Sequence, residues 1–128
     1  MGRALYIFFV WLISTPVWAE SMSEIRGAEP GAFEYYILAL SWSPSYCHDI
    51  GDKRSPDQCR PGAKNNFVVH GLWPQNRDGY PTECASSEKD LPKASFETAT
   101  AIFPDLKLAE HEWQRHGTCT ARKPIEYL

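Results

Sequence analysis

The first nineteen residues limit what this chain can fold into, because their pattern is that of a segment removed on export. Arg3 gives a short positive start, Ala4–Ile13 is a nearly unbroken apolar run, and Val17 and Ala19 are small residues at the positions that a signal peptidase inspects. The run is well short of the about 20 residues that a membrane-spanning helix needs, so a retained anchor is the weaker alternative. We therefore predict a signal peptide over residues 1–19 and no stable membrane association after its cleavage.

Cleavage after Ala19 leaves 109 of the 128 residues, which is enough for one small domain. A domain of this size buries only about 60–65% of the surface of its unfolded chain, so covalent bracing would help it. The whole chain has 13 Lys and Arg against 16 Asp and Glu. This balance argues against a broad basic surface that holds nucleic acid indiscriminately, but it leaves room for a local phosphate site.

Four cysteines in an exported chain favour two structural disulfides. They are Cys47, Cys59, Cys84 and Cys119. A zinc site is the alternative, but the sequence has no C-x-x-C pair and the exported compartment is oxidising. Four cysteines allow three pairings, and their spacing does not choose among these.

Hydrophobic patterning divides the rest of the chain into a leader, two strands and the loops between them. Residues 20–32 are polar and turn-prone, which predicts a flexible leader. The stretch Phe33–Trp42 is apolar on both alternating faces, which favours a strand buried on two sides with Tyr36 and Trp42 in the core. A second, short strand is predicted over Phe67–Val69 and ends at His70. Long loops are predicted around residues 43–66 and 74–94.

Two helices are predicted in the last third of the chain. The first begins at Ser95 and ends before Pro104, which cannot donate the helical hydrogen bond. The second runs from about Leu106 to His116, and Gly117 is placed as a left-handed residue that ends it. Short apolar elements joined by long loops predict an α+β fold, a small disulfide-braced domain with a central antiparallel sheet and helices.

Three of the four histidines lie in two compact segments, Phe67-Val-Val-His70-Gly-Leu-Trp-Pro-Gln75 and His111-Glu-Trp-Gln-Arg-His116-Gly-Thr-Cys119. On the second predicted helix, Glu112 and His116 are spaced i, i+4 and share one face. His111 and Arg115 form a neighbouring row with the same spacing. One helical patch therefore presents a carboxylate, two imidazoles and a guanidinium.

The residues of this patch suggest several kinds of chemistry. A zinc-hydrolase H-E-x-x-H pattern fails because Arg115 stands at its last position and His116 lies about 140° around the helix from His111. A nucleophilic Cys119 would need a free thiolate, and a disulfide explains it better. The patch could also be a solvated helix face with ordinary surface histidines and no catalytic role. Acid–base phosphoryl transfer uses every residue, because RNA cleavage by its own 2′-hydroxyl needs a base, an acid and cations for the phosphate.

The two histidine segments closely resemble the active-site segments of the ribonuclease T2 family, the secreted acid ribonucleases. Phe33–Trp42, followed by Cys47, is similar to the opening strand of that family, so the likeness extends from Phe33 to the last residue. The resemblance implies a catalytic domain over residues 33–128 that is the N-terminal portion of the family's fold, apparently truncated at its C-terminus.

By position, the resemblance implies that His70 is the general acid for the leaving 5′-oxygen and His116 the general base for the 2′-hydroxyl. It implies that Glu112 orients the reacting centre and that His111 binds phosphate. Trp73 matches a base-stacking position, in keeping with low base specificity.

The resemblance also bears on the cysteines and on two positions that depart from the family. It implies a Cys84–Cys119 bridge, which leaves Cys47–Cys59 as the second. Arg115 stands where Lys is common, which keeps a phosphate-binding charge but changes its geometry. Gln75 stands where some members have an acidic base-contacting residue, so no base preference is transferred.

These features predict an exported, monomeric endoribonuclease, periplasmic or secreted, that cleaves single-stranded RNA without a metal or other cofactor. The expected reaction passes through a 2′,3′-cyclic phosphate. The alternative is a catalytically inactive exported module that binds RNA or another partner.

Overall fold

The computed structural model describes residues 23–51 and 54–128. The predicted signal peptide, residues 1–19, and the first residues of the predicted leader lie outside the described residues. The strands and α-helices are β1 (Glu24–Arg26), β2 (Tyr35–Trp42), α1 (Ser43–Tyr46), α2 (Pro56–Cys59), β3 (Phe67–Gln75), β4 (Tyr80–Thr82), α3 (Phe96–Ile102), α4 (Leu106–Arg115) and α5 (Pro124–Tyr127). A π-turn covers Cys47–Gly51, and 3-10 turns cover Lys93–Ser95 and Gly117–Thr120. None of the helices in this part of the chain has the length and apolar character to cross a membrane.

The two longest strands, β2 and β3, pair antiparallel, as the sequence predicts. Ala39 lies opposite Gly71 and Leu40 opposite Val69, so His70 is an extra residue on β3 at a β-bulge. A bulge bends a strand and turns its side chain to a new direction, and such bulges are frequent beside active sites. The bulge therefore places His70 apart from the regular alternation of the strand.

Strand β3 is longer than its sequence pattern predicts. The apolar stretch Phe67–Val69 predicts a strand that ends at His70, whereas the pairing continues to Gln75 opposite Tyr35. The sequence does not predict this continuation because Pro74 lies in it and proline is a poor strand residue. It is tolerated because, within the described residues, β3 pairs on one side only.

A short parallel pair joins the N-terminal segment to the middle of the chain. Strand β1 pairs with β4, and Glu24 accepts a 2.7 Å hydrogen bond from the hydroxyl of Thr82. The sequence predicts no regular structure in either segment. Three-residue strands are too short to show alternation, and these two meet only through tertiary contacts across 58 positions of sequence.

The core lies between the helices and β3. Its buried apolar residues are Leu91, Ala99, Phe103, Ala109, Trp113 and Tyr127. Both predicted helices form nearly at their expected bounds, and Asp105 caps α4 by accepting a 2.8 Å hydrogen bond from the backbone of Lys107. Tyr127 of α5 exchanges hydrogen bonds with the backbone of Leu72 on β3. The observed architecture is thus the predicted α+β domain.

The expectation that β2 is buried on both faces is wrong. Leu38 is 59% exposed, Leu40 53% and Trp42 43%, and Tyr36 is also exposed. The helices pack against β3, and the described residues provide no layer over β2. An apolar sequence pattern indicates which face of a strand can be buried. Whether that face is buried depends on which other element packs against it.

Both disulfides form with the pairing implied by the family resemblance, Cys47–Cys59 and Cys84–Cys119. The first closes the predicted loop after β2, which contains short helical turns. The second joins the segment after β4 to the 3-10 turn that follows α4. Both of its cysteines are fully buried, so this bridge fixes the end of the helix that carries the predicted catalytic residues.

Gly117 does not end α4 as a left-handed residue. The left-handed residue is Ala121, at φ 57°, and α4 ends at His116 with φ −123°. Gly117 lies against the ring of Trp113, and a Cβ at that position would collide with the ring. Close packing therefore requires the glycine here, and helix capping does not.

Candidate active site

All six residues predicted for catalysis and substrate binding line one cleft of about 370 Å³. They are His70, Trp73, His111, Glu112, Arg115 and His116. Strand β3 contributes the first two from one wall, and α4 with the residue that ends it contributes the other four. The two histidine segments, which are distant in sequence, thus form one site. Ile37, Gln75 and Tyr80 complete the lining.

Glu112 lines the cleft and is 1% exposed. Its Oε2 accepts a 2.7 Å hydrogen bond from the indole N–H of Trp73, and its Oε1 lies 3.6 Å from Nε2 of His70. Gly71 makes this approach possible, because a Cβ there would collide with the Glu112 carboxylate. Gly71 of the first histidine segment therefore leaves the space that the Glu112 carboxylate of the second segment occupies.

Trp73 lies next to both catalytic candidates, His70 and His116. Its ring centroid is 5.8 Å from that of His70 in an edge-on arrangement and 5.3 Å from that of His116 at an interplanar angle of 32°. The half-buried indole also donates its N–H to Glu112. Trp73 therefore fixes the relative positions of three polar groups, in addition to the stacking role that the resemblance implies.

His116 is 7% exposed and ends α4, where its backbone N–H donates to the carbonyl of Glu112 at 2.9 Å. Its buried Nδ1 has no hydrogen-bond partner among the described residues. Burial lowers the pKa of His116 to about 4, and the Arg115 guanidinium and the other two imidazoles act in the same direction. The imidazole is therefore neutral, and able to accept a proton, above about pH 4.

The other two central groups also have shifted pKa values. Burial raises the pKa of Glu112 to about 7, although the Trp73 hydrogen bond and the charge of Arg115 oppose this shift. Burial, with a smaller contribution from the charge of His111, lowers the pKa of His70. In mildly acidic solution the cleft thus contains a protonated carboxyl group beside His70 and two imidazoles that differ in environment. Such separation of protonation properties is typical of acid–base sites.

Arg115 is held at the edge of the cleft by two carboxylates that the sequence reasoning missed. Its guanidinium lies 3.2 Å from Glu24 Oε1 and 3.5 Å from Glu83 Oε1. Glu24 comes from β1, in the segment predicted to be a leader, and Glu83 directly follows β4. Nothing in the local sequence marks these residues, because their meeting with Arg115 depends on the β1–β4 pairing.

Two further observations concern the chemistry available to the site. Among residues 23–51 and 54–128, no group of three or more His, Cys, Asp or Glu side chains is placed to hold a metal ion. Gln75 is buried and its side-chain oxygen has no hydrogen-bond partner within the same residues. Tyr80 and Ile37 were not predicted, and no motif in the sequence points to them.

Comparisons with known proteins identify relatives that match most of this chain. The model of the ribonuclease T2 family matches residues 33–127. A ribonuclease of Aeromonas hydrophila is 43% identical over 80% of this chain and 45% of its own length, and a probable ribonuclease of Haemophilus influenzae is 38% identical over 74% and 39%.

The fold is also similar to that of a solved ribonuclease structure. The structure of ribonuclease MC1 from bitter gourd seeds superposes with a TM-score of 0.53 at 23% identity, over 74% of this chain and 53% of that one. This chain spans less than half the length of the two curated relatives above. The match of the family model over both histidine segments and most of the chain shows that this chain belongs to the ribonuclease T2 family.

Proposed function

We propose that this protein is an endoribonuclease that cleaves single-stranded RNA by acid–base catalysis, with no metal in the mechanism. The observation that carries the proposal is that His70 and His116 line one cleft, each next to Trp73, with the buried Glu112 beside His70 and hydrogen-bonded to Trp73. Family membership supports the same reaction class.

In the first step His116 takes the proton of the ribose 2′-hydroxyl. The 2′-oxygen attacks phosphorus, the bond from phosphorus to the 5′-oxygen breaks, and His70 gives a proton to that leaving oxygen. The products are a 2′,3′-cyclic phosphate and a free 5′-hydroxyl. His116 suits the role of base because its pKa of about 4 keeps it neutral under mildly acidic conditions.

His70 suits the role of acid once substrate is bound. Its Nε2 faces Glu112 at 3.6 Å and 40% of its side chain is exposed to the cleft. Burial lowers its pKa in the free protein, and a phosphodiester anion bound beside the ring would raise that pKa again. Substrate binding therefore favours the protonated form of His70.

Charge on the phosphate oxygens is met by His111 and Arg115, which lie side by side at the cleft edge. Below about pH 7 the carboxyl group of Glu112 is protonated and can donate a hydrogen bond to the same oxygens. In a slower second step water opens the cyclic phosphate to a 3′-phosphate, with the roles of the two histidines exchanged.

The proposal extends to where and how the protein acts. Residues 1–19 have the pattern of a signal peptide, and both disulfides suit an oxidising compartment, so we place the protein in the periplasm or outside the cell. Recognition by stacking against aromatic side chains predicts low base specificity, and we expect a monomer.

The mechanism is tested with His70→Ala and His116→Ala in the full chain. Each change should lower kcat for an RNA homopolymer by about 10²–10⁴-fold, the usual contribution of one positioned proton transfer. His48→Ala is the matched control, because His48 is 87% exposed and lies in the first disulfide loop. Full activity in either cleft variant, or loss of wild-type activity with EDTA, would contradict the mechanism.

The pH dependence gives a second test. The rate should rise with pH through the His116 pKa of about 4, as the base becomes neutral. It should fall at higher pH as His70 loses its proton, and the lowered pKa of His70 puts this limb of kcat/KM below about 6.5. A profile that is flat from pH 4 to 9 would rule out the two-imidazole mechanism.

The alternative function is an exported RNA-binding module without turnover. Detection of a cyclic-phosphate product from an RNA homopolymer would decide for the enzyme. Binding of the homopolymer without any product would decide for the module.

A further inference from the structure

A second cleft, of about 430 Å³, lies along α4 next to the first one. We define it as the Lys89 groove, and its lining residues are Glu83, Lys89, His111, Gln114 and Arg115. His111 and Arg115 also line the catalytic cleft. The two clefts are therefore neighbours that share one wall.

Helix geometry explains the shared wall. Successive residues of an α-helix turn by about 100°, so the order around α4 is Gln114, His111, Arg115, Glu112, with about 40–60° between neighbours. His111 and Arg115 form the ridge between a side that faces the Lys89 groove and a side that faces the catalytic carboxyl. A chain that leaves the catalytic cleft over this ridge enters the Lys89 groove.

The ammonium group of Lys89 is held in place and remains available. It donates a 2.6 Å hydrogen bond to the carbonyl of Cys84, a fully buried residue of the second disulfide. An ammonium group has three donors, so two remain, and Lys89 as a residue is exposed. Within the described residues no carboxylate forms an ion pair with it. The disulfide therefore fixes a cation at the groove.

The acidic residue of the groove does not cancel this charge. Glu83 is paired with the guanidinium groups of Arg26 at 3.1 Å and Arg115 at 3.5 Å, and Glu24 shares the same two groups, so the two carboxylates and the two guanidinium groups balance one another. Lys89 thus remains as the cationic group of the groove, and the exposed imidazole of His111 lines the same groove. Positive grooves that follow the backbone are the usual means of holding single-stranded nucleic acid.

We propose that the Lys89 groove binds a second phosphate of the RNA chain, next to the one that is cleaved. The proposal rests on the proposed function for the identity of the ligand. The recognised group is a phosphodiester anion, and it is supplied by the nucleotide on either the 5′ or the 3′ side of the cleaved bond.

Binding is measured first, with a fluorescent single-stranded oligodeoxynucleotide that cannot react because it has no 2′-hydroxyl. Affinity is recorded against salt concentration for the wild-type chain, Lys89→Gln, Lys89→Arg and the control Lys64→Gln. Each neutralised phosphate contributes about 0.7 to the slope of log K against log salt for single strands. Lys89→Gln should reduce the slope by about that amount, and Lys89→Arg and Lys64→Gln should keep it. An unchanged slope in Lys89→Gln overturns the proposal.

Cleavage is measured second, on a dinucleoside monophosphate and on trinucleotides extended by one phosphate at the 5′ or the 3′ side. Lys89→Gln should lower kcat/KM about fivefold for one extended substrate and leave the dinucleoside within twofold of wild type. An equal loss on all three substrates contradicts the proposal. If the wild-type chain cleaves nothing but the salt slope still falls in Lys89→Gln, the proposed function fails and the phosphate site stands.

Discussion

The two strands of the central sheet have similar apolar sequences and very different surroundings. Strand β3 lies against α4 and the helical core, where Trp113 is fully buried and Glu112 is 1% exposed. Strand β2, its partner, leaves Leu38 and Leu40 more than half exposed. Every group in the cleft with a strongly shifted pKa lies on the side of the sheet that α4 and the helical core cover, which we call the packed side. Packing density around β3 is therefore what gives the histidines and the carboxyl group unusual protonation properties.

The two disulfides follow the same division. Cys84–Cys119 joins buried positions 35 residues apart next to α4, and Cys47–Cys59 joins positions 12 residues apart beyond the exposed end of β2. A bridge that closes a longer loop removes more entropy from the unfolded chain. The packed side of the sheet is thus also the side with the stronger covalent constraint.

The largest expected difference between the two sides is in the cost of removing a tryptophan. Trp113→Ala removes a fully buried ring from the core and should lower the free energy of unfolding by about 3–5 kcal/mol. Trp42→Ala removes a ring that is 43% exposed, and its cost should be about 1 kcal/mol. Urea unfolding of the two variants measures both values. Equal costs would mean that β2 is covered in solution.

The next difference concerns the disulfides. In the loop-entropy relation, replacing Cys84 and Cys119 by Ser should cost about 4 kcal/mol, against about 3 kcal/mol for the Cys47 and Cys59 pair. Only the first double variant should also lower RNA cleavage, since it releases the end of α4 and the anchor of Lys89. The measurements are chemical unfolding and kcat/KM under conditions where each variant is folded. If only the variant without Cys47–Cys59 lost activity, then that bridge, and not Cys84–Cys119, would be the one that supports the site.

A smaller effect is expected in the pH dependence of stability. Glu112 keeps its proton in the folded state up to about pH 7, so its contribution makes stability fall as pH rises from about 4.5 to 7. His116 and His70 have lowered pKa values, so their contribution makes stability fall as pH drops from 6.5 toward 4. The opposing slopes offset one another in the wild-type chain.

Glu112→Gln should therefore become more stable as pH rises from 4.5 to 6.5, by up to about 1.4 kcal/mol per pH unit for each proton involved. Unfolding free energies at pH 4.5, 5.5 and 6.5 test this. Glu34→Gln, at the exposed start of β2, is the matched control for loss of a carboxylate and should follow the wild-type curve. Parallel curves for Glu112→Gln and wild type would show that the buried carboxyl group titrates normally.

The smallest expected effect comes from the edge of the packed side. Glu24 lies 3.2 Å from the Arg115 guanidinium, and its charge partly offsets the lowering of the His116 pKa. Glu24→Gln should move the acidic limb of the kcat/KM profile to lower pH by a fraction of a pH unit. Glu29→Gln, in the segment after β1, is the control. A shift toward higher pH would mean that Glu24 acts on another group.

Much of the site could be predicted because its signals are local. The two histidine segments name His70, Glu112 and His116 directly, and helical spacing puts the last two on one face. The residues that hold Arg115 could not be predicted, because Glu24 reaches it only through the pairing of two three-residue strands. The hydrogen bond from Trp73 to Glu112 could not be predicted either, because it exists only once β3 and α4 are packed.

The sequence by itself determined the chain's family, the two helices, the antiparallel strand pair and the residues that are proposed to do the chemistry. These follow from side-chain periodicity and from motifs that are contiguous in the chain. The tertiary structure decided the bulge at His70, the burial of Glu112 and the exposure of β2. Each of these depends on which distant surfaces come into contact, and burial is a property of that contact and not of the residue.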